Sequence, residues 1–300
     1  MIKMSKIFVV FHKNCIDGTG AKFAAWMKFK DYAVYVPVAY GEPVPDFGED
    51  PNTEIYILDF SFKKEILKGM QAKYKKIVVL DHHKTAEEDL KELVDENIVF
   101  DMNRSGAVMA WNYFHPDKPV PHILQHVQDR DLWKFTLPGT KEVHAGLNLL
   151  KGNMGAWKQY AEPESELWQP TGSNVKKLAE TGRAILQYEN QYLENTVPKK
   201  IKVIDFLGYK AGIFNSGYLI SETGEAIYNS TELNVDLAIL YFIDSNNTVW
   251  LSFRSKKDGG VDVSAIAKMY FEGGGHQAAA GGKTTIANLN VILEGSYYAK

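Results

Sequence analysis

At 300 residues, 45% hydrophobic and 24% charged, the chain lies within ordinary globular limits and is long enough for two domains. These figures exclude a disordered tail, a coiled coil and a collagen-like rod, and the length allows a substantial buried core. A formal charge of -3, from 34 basic against 37 acidic residues, excludes a generally basic nucleic-acid coat but leaves room for a local cationic cleft. The single cysteine, Cys15, cannot form an intrachain disulfide, which fits a reducing compartment. The apolar run Ile7 to Phe11 is too short for a signal-peptide core or a membrane span, so the expectation is a soluble, cytoplasmic protein with no membrane partner.

In chain order, Ile7 to Phe11, Ile55 to Leu58, Ile77 to Leu80 and Ile98 to Phe100 are short and largely β-branched or aromatic, and each predicts a buried strand. Helix-forming stretches separate them, roughly Gly20 to Lys30, Phe62 to Tyr74 and Ala86 to Asp95. This alternation predicts an α/β fold with a mainly parallel sheet flanked by helices. More helices follow at Ala107 to Tyr113, Ile123 to Gln128 and around Val143 to Leu150. Ser173 to Asn195 has strong helix formers and reads as a connecting helix stopped by Pro198, Lys199 and Lys200. A smaller α/β domain then opens with strand signals at Ile201 to Ile204 and Ala211 to Phe214. It continues with strands at Val235 to Phe242 and Val249 to Phe253, and a helix from Val263 to Tyr270 capped by Asp262. The expected division is 1–172, a connecting helix over 173–199, and 200–300.

The residues just past the N-terminal strands carry the chemistry. The first strand runs into His12-Lys13-Asn14-Cys15-Ile16-Asp17-Gly18, the second ends at Asp59, the third at Asp81-His82-His83 and the fourth at Asp101. In a parallel sheet these positions converge on one crevice, where ligands of open α/β folds bind. A single Asp at a strand end usually caps a turn or a helix. Unpaired carboxylates brought so close by several strand ends would repel strongly, and a divalent cation resolves that. That donor mixture suits a first-row ion such as manganese better than calcium or magnesium.

Asp81-His82-His83 after a buried strand, with Asp17-Gly18 and Asp59 upstream, resembles the DHH phosphoesterase superfamily. The C-terminal half adds Ser252-Phe253-Arg254-Ser255, the segment from Val261 to Ala267, and Gly273-Gly274-Gly275-His276-Gln277-Ala278-Ala279-Ala280-Gly281-Gly282. These resemble the glycine-rich substrate-binding domain that accompanies DHH domains in the nano-RNase, or oligoribonuclease-like, branch. The similarity covers essentially the whole chain in the right order.

The resemblance implies two divalent metal ions, with His12 on the first, Asp17 and His82 on the second and Asp59 bridging both. It implies that Asp81 orients the imidazoles from behind and that His83 meets substrate phosphate. A later Asp completes the second site. Gln128-Asp129-Arg130-Asp131-Leu132-Trp133 offers two, and Asp129 is favoured because it closes a helix-like run and leaves Trp133 where the family has an aromatic. Asp131 would then pair with Arg130 or Lys134, or cap the next turn. Cys15 departs from the family pattern, in which many relatives carry a carboxylate. Either Cys15 ligates and shifts metal preference, or it is a small buried side chain.

Arg104, three residues past Asp101, is a candidate to meet charge developing on the phosphoryl group. In the C-terminal domain, Arg254, Ser255, Gly274, Gly275 and His276 are the candidate substrate-binding residues, the glycines allowing backbone amides to approach an anion as a nest. Few basic residues lie there, which favours a short oligonucleotide or a small nucleotide over long duplex DNA. The expected activity is metal-dependent hydrolysis of short RNA or DNA oligonucleotides or linear dinucleotides to mononucleotides. Alternatives are a phosphomonoesterase acting on 3′,5′-bisphosphate adenosine, a cyclic-dinucleotide phosphodiesterase, and a non-catalytic nucleotide sensor. A homodimer is left open.

Overall fold

The computed structural model describes residues 6–150, 152–161 and 173–297, with the Ser173 side chain set aside. The chain divides into two compact units, Met1–Leu186 and Gln187–Lys300, so the boundary falls within a helix. The junction expected at residue 172 lies outside the described residues.

In the first unit, β1 (Ile7–His12), β2 (Ala33–Val38), β3 (Glu54–Leu58), β4 (Lys76–Asp81) and β5 (Ile98–Phe100) form a five-stranded sheet in the order β2-β1-β3-β4-β5, all pairs parallel. Helices α1 (Ile16–Phe29), α2 (Lys64–Lys73), α3 (Lys84–Leu90) and α4 (Gly106–Phe114) follow β1, β3, β4 and β5 respectively. Helices α5 (His122–Asp131), α6 (Thr140–Leu150), α7 (Met154–Ala161) and the first half of α8 (Ser173–Lys200) complete this unit. Side chains alternate across the sheet. Val9, Tyr56, Leu58, Val78 and Leu80 pack with Phe23, Ala107 and Leu124 on one face. Phe8, Val10, Ile55, Ile57 and Val79 pack with Leu67, Met70 and Leu90 on the other. Burial on both faces is why these strands read as unbroken apolar runs rather than as alternating ones. The strand order reverses between β1 and β3, so their outgoing connections diverge and open a crevice at the strands' carboxyl ends.

Several elements differ from expectation, each for a physical reason. Helix α1 starts at Ile16 rather than Gly20 because its glycines are places of close approach, not breaks. A Cβ on Gly18 would lie 2.1 Å from the His12 carbonyl oxygen, and one on Gly20 would lie 2.8 Å from the Ala107 Cβ. Strand β2 contains Pro37, which argues against a central strand. At the sheet edge, paired only with β1, the missing amide hydrogen is tolerated. Helix α7 was not foreseen, although it carries the fully buried Trp157. Helix α8 continues past Pro198 to Lys200. In its second half Leu193 and Val197 pack with Phe214, Ile227 and Leu240, and this burial offsets the hydrogen bond that proline forfeits.

The second unit holds a six-stranded sheet in the order β10-β11-β9-β8-β7-β6. Its strands are β6 (Lys202–Phe206), β7 (Tyr209–Asn215), β8 (Leu237–Ile243), β9 (Val249–Ser255), β10 (Gly274–His276) and β11 (Ala279–Thr284). Only β7 and β8 pair in parallel, joined by α9 (Ile220–Tyr228); helices α10 (Val263–Tyr270) and α11 (Ile286–Leu293) complete the unit. Helix α9 was not foreseen, because Gly224 lowers helix propensity in its middle. That glycine is where the helix meets Arg254, whose Cγ would lie 2.6 Å from an added Cβ. On the opposite face, Phe206, Phe253, Phe271 and Tyr297 form an aromatic core with centroid separations from 5.3 to 6.1 Å. Among the described residues no helix is long and apolar enough to cross a membrane.

Replacing Trp157 by alanine should cost about 3–5 kcal/mol in urea denaturation, the usual scale for a large buried aromatic. Trp157→Phe should cost clearly less, because the indole Nε1 has no hydrogen-bond partner to lose. Equal losses for the two variants would count against this account of the α7 core.

Candidate metal centre

The crevice at the β1–β3 reversal collects side chains from five segments. His12 ends β1, Cys15 precedes α1 and Asp17 sits in its first turn. Asp59 follows β3, Asp81-His82-His83 closes β4, and Asp131 ends α5. Asp59 is held at φ +54, a left-handed conformation that Asp tolerates better than most residues. Its amide donates to the Leu80 carbonyl at 2.9 Å. Gly106 lies directly against it, since a Cβ there would come 2.4 Å from the Asp59 Cβ. An unusual backbone at Asp59 is thus fixed by a neighbour with no side chain, as often occurs where a fold stores strain at a functional position.

The distances define two overlapping groups. His82 Nε2 lies 3.1 Å from Asp59 Oδ1, 3.5 Å from Asp17 Oδ2 and 3.5 Å from Asp131 Oδ2. His12 Nδ1 lies 3.7 Å from Asp59 Oδ2, too long for a hydrogen bond. Asp17, Asp59 and His82 each offer a donor atom within 4.8 Å of the others, and so do His12, Cys15 and Asp59. Asp59 is common to both sets. Asp17 is anchored by the first turn of α4, accepting from the Gly106 amide at 2.6 Å and the Ala107 amide at 3.0 Å. A helix N-terminus is a natural seat for such a carboxylate.

Asp81 is buried behind the imidazoles rather than among them. Its Oδ1 meets His83 Nδ1 at 2.6 Å and accepts the His82 and His83 amides, while Oδ2 accepts from the Ser61 hydroxyl at 2.6 Å. A carboxylate used in this way fixes imidazole orientation and raises ligand basicity. The rings of His12 and His83 lie 5.8 Å apart, and Tyr40, just past β2, faces both at 5.6 and 5.7 Å.

Crowding of charge shows in the titration directions. Burial, then the nearby Asp59 and Asp131 carboxylates, pushes Asp17 well above the usual carboxylate range. Burial also raises Asp131. Asp59 goes the other way: burial opposes ionisation, but His12 and His82 together hold it well below the usual range. Burial pulls His82 down, yet Asp131, Asp59 and Asp17 outweigh it and push the imidazole up to about 11. Without a cation, therefore, protons take up part of the negative charge. The residues fit divalent ions: His12 Nδ1 and Asp131 Oδ2 are buried with no hydrogen-bond partner, and mixed imidazole and carboxylate donors suit first-row metals.

The two later aspartates exchange the places expected of them. Asp129 is turned away from the cluster. It accepts from the Thr136 amide at 2.9 Å and hydroxyl at 2.8 Å, the Leu137 amide at 3.0 Å and the Thr140 hydroxyl at 2.6 Å. It therefore ties down the loop leading into α6, and Asp131, two residues on, faces His82. Two residues along a helix is about 200°, so only one of the pair could face the crevice. Asp101 is also apart from the cluster, with its Oδ2 accepting from Arg104 Nε at 2.6 Å. Arg104 is thereby committed to a local ion pair, and its guanidinium is partly exposed.

In the second unit, Arg254, Ala279 and His276 stand opposite one another across β9, β11 and β10, so Arg254 and His276 share a sheet face. Ser255 points to the other face, buried, with its hydroxyl donating to the Val261 carbonyl at 2.7 Å. The glycine run expected as an anion nest is a β-hairpin, in which Gly274 pairs with Gly281 and Gly275 with Ala280. Gly275 has φ +142, and a Cβ there would lie 2.6 Å from the Ala279 carbonyl oxygen.

Tyr40, Ser61 and the Gly106 and Ala107 amides were missed by the sequence reading. Ser105-Gly106 was a legible helix-start signal, and the Ser105 hydroxyl does accept from the Val108 amide at 3.4 Å. Nothing in the sequence linked Tyr40 to the histidines.

The exchange of aspartates is testable. Asp129→Asn should lower stability by about 2–3 kcal/mol through its lost charge-assisted hydrogen bonds. Asp131→Asn should leave the melting temperature of the metal-free protein unchanged or higher, because it removes a carboxylate that burial disfavours. It should also weaken manganese binding in calorimetric titration by roughly tenfold or more. Loss of manganese binding in Asp129→Asn with full stability, and normal binding in Asp131→Asn, would reverse the assignment.

Residues 222–295 match the DHHA1 domain family. A protein of Acanthamoeba polyphaga mimivirus, uncharacterized protein R106, is 28% identical over 289 residues; the match covers 91% of this chain and 66% of the relative's length. The manganese-bound RecJ of Thermus thermophilus aligns over 97% of this chain and 51% of its own, with a TM-score of 0.51 at 14% identity, so it shares the fold. A pGpG-specific phosphodiesterase, PggH from Vibrio cholerae, aligns over 96% of both chains with a TM-score of 0.47 at 13% identity. The DHHA1 match lies in the second unit, and the Asp81-His82-His83 turn closes β4 in the first.

Proposed function

We propose that the chain is a metal-dependent phosphodiesterase that hydrolyses short oligonucleotides or linear dinucleotides to mononucleotides. The observation that carries this reading is the pair of overlapping donor sets sharing Asp59. An arrangement of that kind would suit two ions, the number that two-metal phosphoryl-transfer sites use. His12 and Asp59 would hold the first ion; Asp17, Asp59, His82 and Asp131 would hold the second, with manganese the expected cation for donors of this type. When bound, the ions supply a water ionised near neutral pH and charge neutralisation for the phosphoryl oxygens.

The chain's own residues do the rest. Asp81 holds His83 through Nδ1, which turns Nε2 of the same ring away from Asp81; on this reading that edge of the ring meets the phosphate. The amides of Gly106 and Ala107 keep Asp17 in place, so the cluster needs little rearrangement to accept its ions. Tyr40 packs edge-on against the His12 and His83 rings and helps to fix their orientation. Arg254 and His276, in one row of the second sheet on either side of Ala279, would offer donors to a substrate phosphate. So small a cationic set favours a short substrate, since long duplexes are held by many phosphate contacts. The family match and the manganese bound in RecJ, which shares the fold, support the same chemistry.

The test is a manganese-dependent time course resolved by mass spectrometry. Its panel is a dinucleotide, a five-residue RNA, a five-residue DNA, 3′,5′-bisphosphate adenosine, a cyclic dinucleotide and pyrophosphate. Mononucleotides should accumulate from the dinucleotide and the short oligomers. A chelator should abolish the release, and Asp59→Asn should reduce it by more than about 100-fold, beyond the loss typical of outer partners of metal ligands. Turnover of the bisphosphate or the cyclic compound alone would replace this reading with one of those activities. No turnover with any substrate would overturn catalysis and favour a nucleotide sensor.

A further inference from the structure

Cys15 belongs to the cluster yet has no part in the chemistry proposed above. It is the only cysteine in the chain, and its sulfur lies with donor atoms of His12 and Asp59 inside a 4.8 Å group. We propose that Cys15 binds as a thiolate to the ion held by His12 and Asp59, so that this subsite takes a borderline cation such as zinc in preference to manganese or magnesium. The inference rests on reading the crevice as a metal centre and assigns its two halves different ions.

Three observations carry it. The set is of mixed chemistry, one sulfur, one imidazole nitrogen and one carboxylate, which is the donor combination that zinc, cobalt and iron(II) favour. His12 Nδ1 is buried with no hydrogen-bond partner and stands 3.7 Å from Asp59 Oδ2, so the imidazole is set beside the carboxylate without being satisfied by it. The neighbouring set of Asp17, Asp59 and His82 holds no sulfur and offers only oxygen and nitrogen. The softness of the donors therefore changes across Asp59, and the two subsites should sort cations accordingly. Local structure keeps Cys15 in place: it leads directly into α1, its carbonyl accepts from the Thr19 amide and hydroxyl, and Gly18 packs on the His12 carbonyl one turn away. Binding would break the S–H bond, release its proton to solvent and form a sulfur–metal bond, with no change of oxidation state.

Cobalt(II) is the probe, because a thiolate–cobalt bond gives a charge-transfer band in the near ultraviolet that nitrogen and oxygen ligands do not. Titrating the metal-free full-length protein with cobalt should produce this band. Cys15→Ser should lose it while still binding cobalt at the other subsite, seen by its visible bands. In the wild-type chain a thiol reagent reports Cys15 alone, and zinc should slow its reaction markedly whereas magnesium should not. Cys15→Asp should lower the preference for zinc over manganese in competition dialysis by roughly tenfold or more, a change at least as large as outer partners of metal ligands produce. Cobalt binding without the charge-transfer band, or a thiol equally reactive with and without zinc, overturns the proposal and leaves the metal centre standing. Failure of the wild-type chain to bind any divalent cation overturns the metal centre itself, and the thiolate with it.

Discussion

Everything in the first unit is arranged around one electrostatic problem: three carboxylates, Asp17, Asp59 and Asp131, face a single buried imidazole. Each lies 3.1 to 3.5 Å from His82 Nε2. One imidazolium cannot balance three carboxylates, so burial and mutual repulsion push Asp17 and Asp131 up while Asp59, nearest the imidazoles, stays low. A cluster of this kind survives burial only by holding protons or cations. Folding has to meet its cost with packing elsewhere, and the two-faced burial of the sheet supplies it.

The backbone answers the same problem with fixed dipoles. Helix α4 aims its first amides at Asp17, and Gly106, at the start of that helix, leaves the space that the left-handed Asp59 needs. Gly18 does likewise at the head of α1, lying against the His12 carbonyl. These glycines are set by proximity: a methyl group at either would force His12 or Asp59 to move. A second layer stands behind the first. Ser61 and the His82 and His83 amides hold Asp81, and Asp81 holds His83. Thr136, Leu137 and Thr140 hold Asp129, which sets the end of α5 so that Asp131 reaches the crevice.

The second unit solves a different problem, that of presenting a few polar groups on a rigid surface. A mixed sheet with an aromatic core on one face leaves the other for Arg254 and His276, separated by the small Ala279. Gly224 lets α9 cross the stem of Arg254, so the guanidinium is buttressed by a helix as well as by its own strand. Its Nη1 and Nη2 also donate to the Phe253 carbonyl and the Ser221 hydroxyl, which limits the rotamers it can adopt.

By itself the sequence determined the class of fold, the parallel strands and the identity of most of the cluster. Strands buried on both faces must be apolar along their length, and parallel strands must release their polar ends on one side. His12, Asp17, Asp59, Asp81, His82 and His83 were legible because each directly follows, or closes, such a strand or begins the next helix. Matters that depend on rotation about a helix or on distant neighbours were decided only in the tertiary structure. Asp129 and Asp131 have the same chemistry in the same helix, and only the angular phase of α5, pinned by threonines from a later loop, turns one to the loop and the other to His82. The glycine run looks in sequence like a loop and becomes a hairpin because β9 offers β11 a partner. Edge strand β2 was hidden by a proline that only an edge position tolerates, and with it went Tyr40. Local sequence records which atoms can do chemistry, whereas long-range packing decides which of them meet.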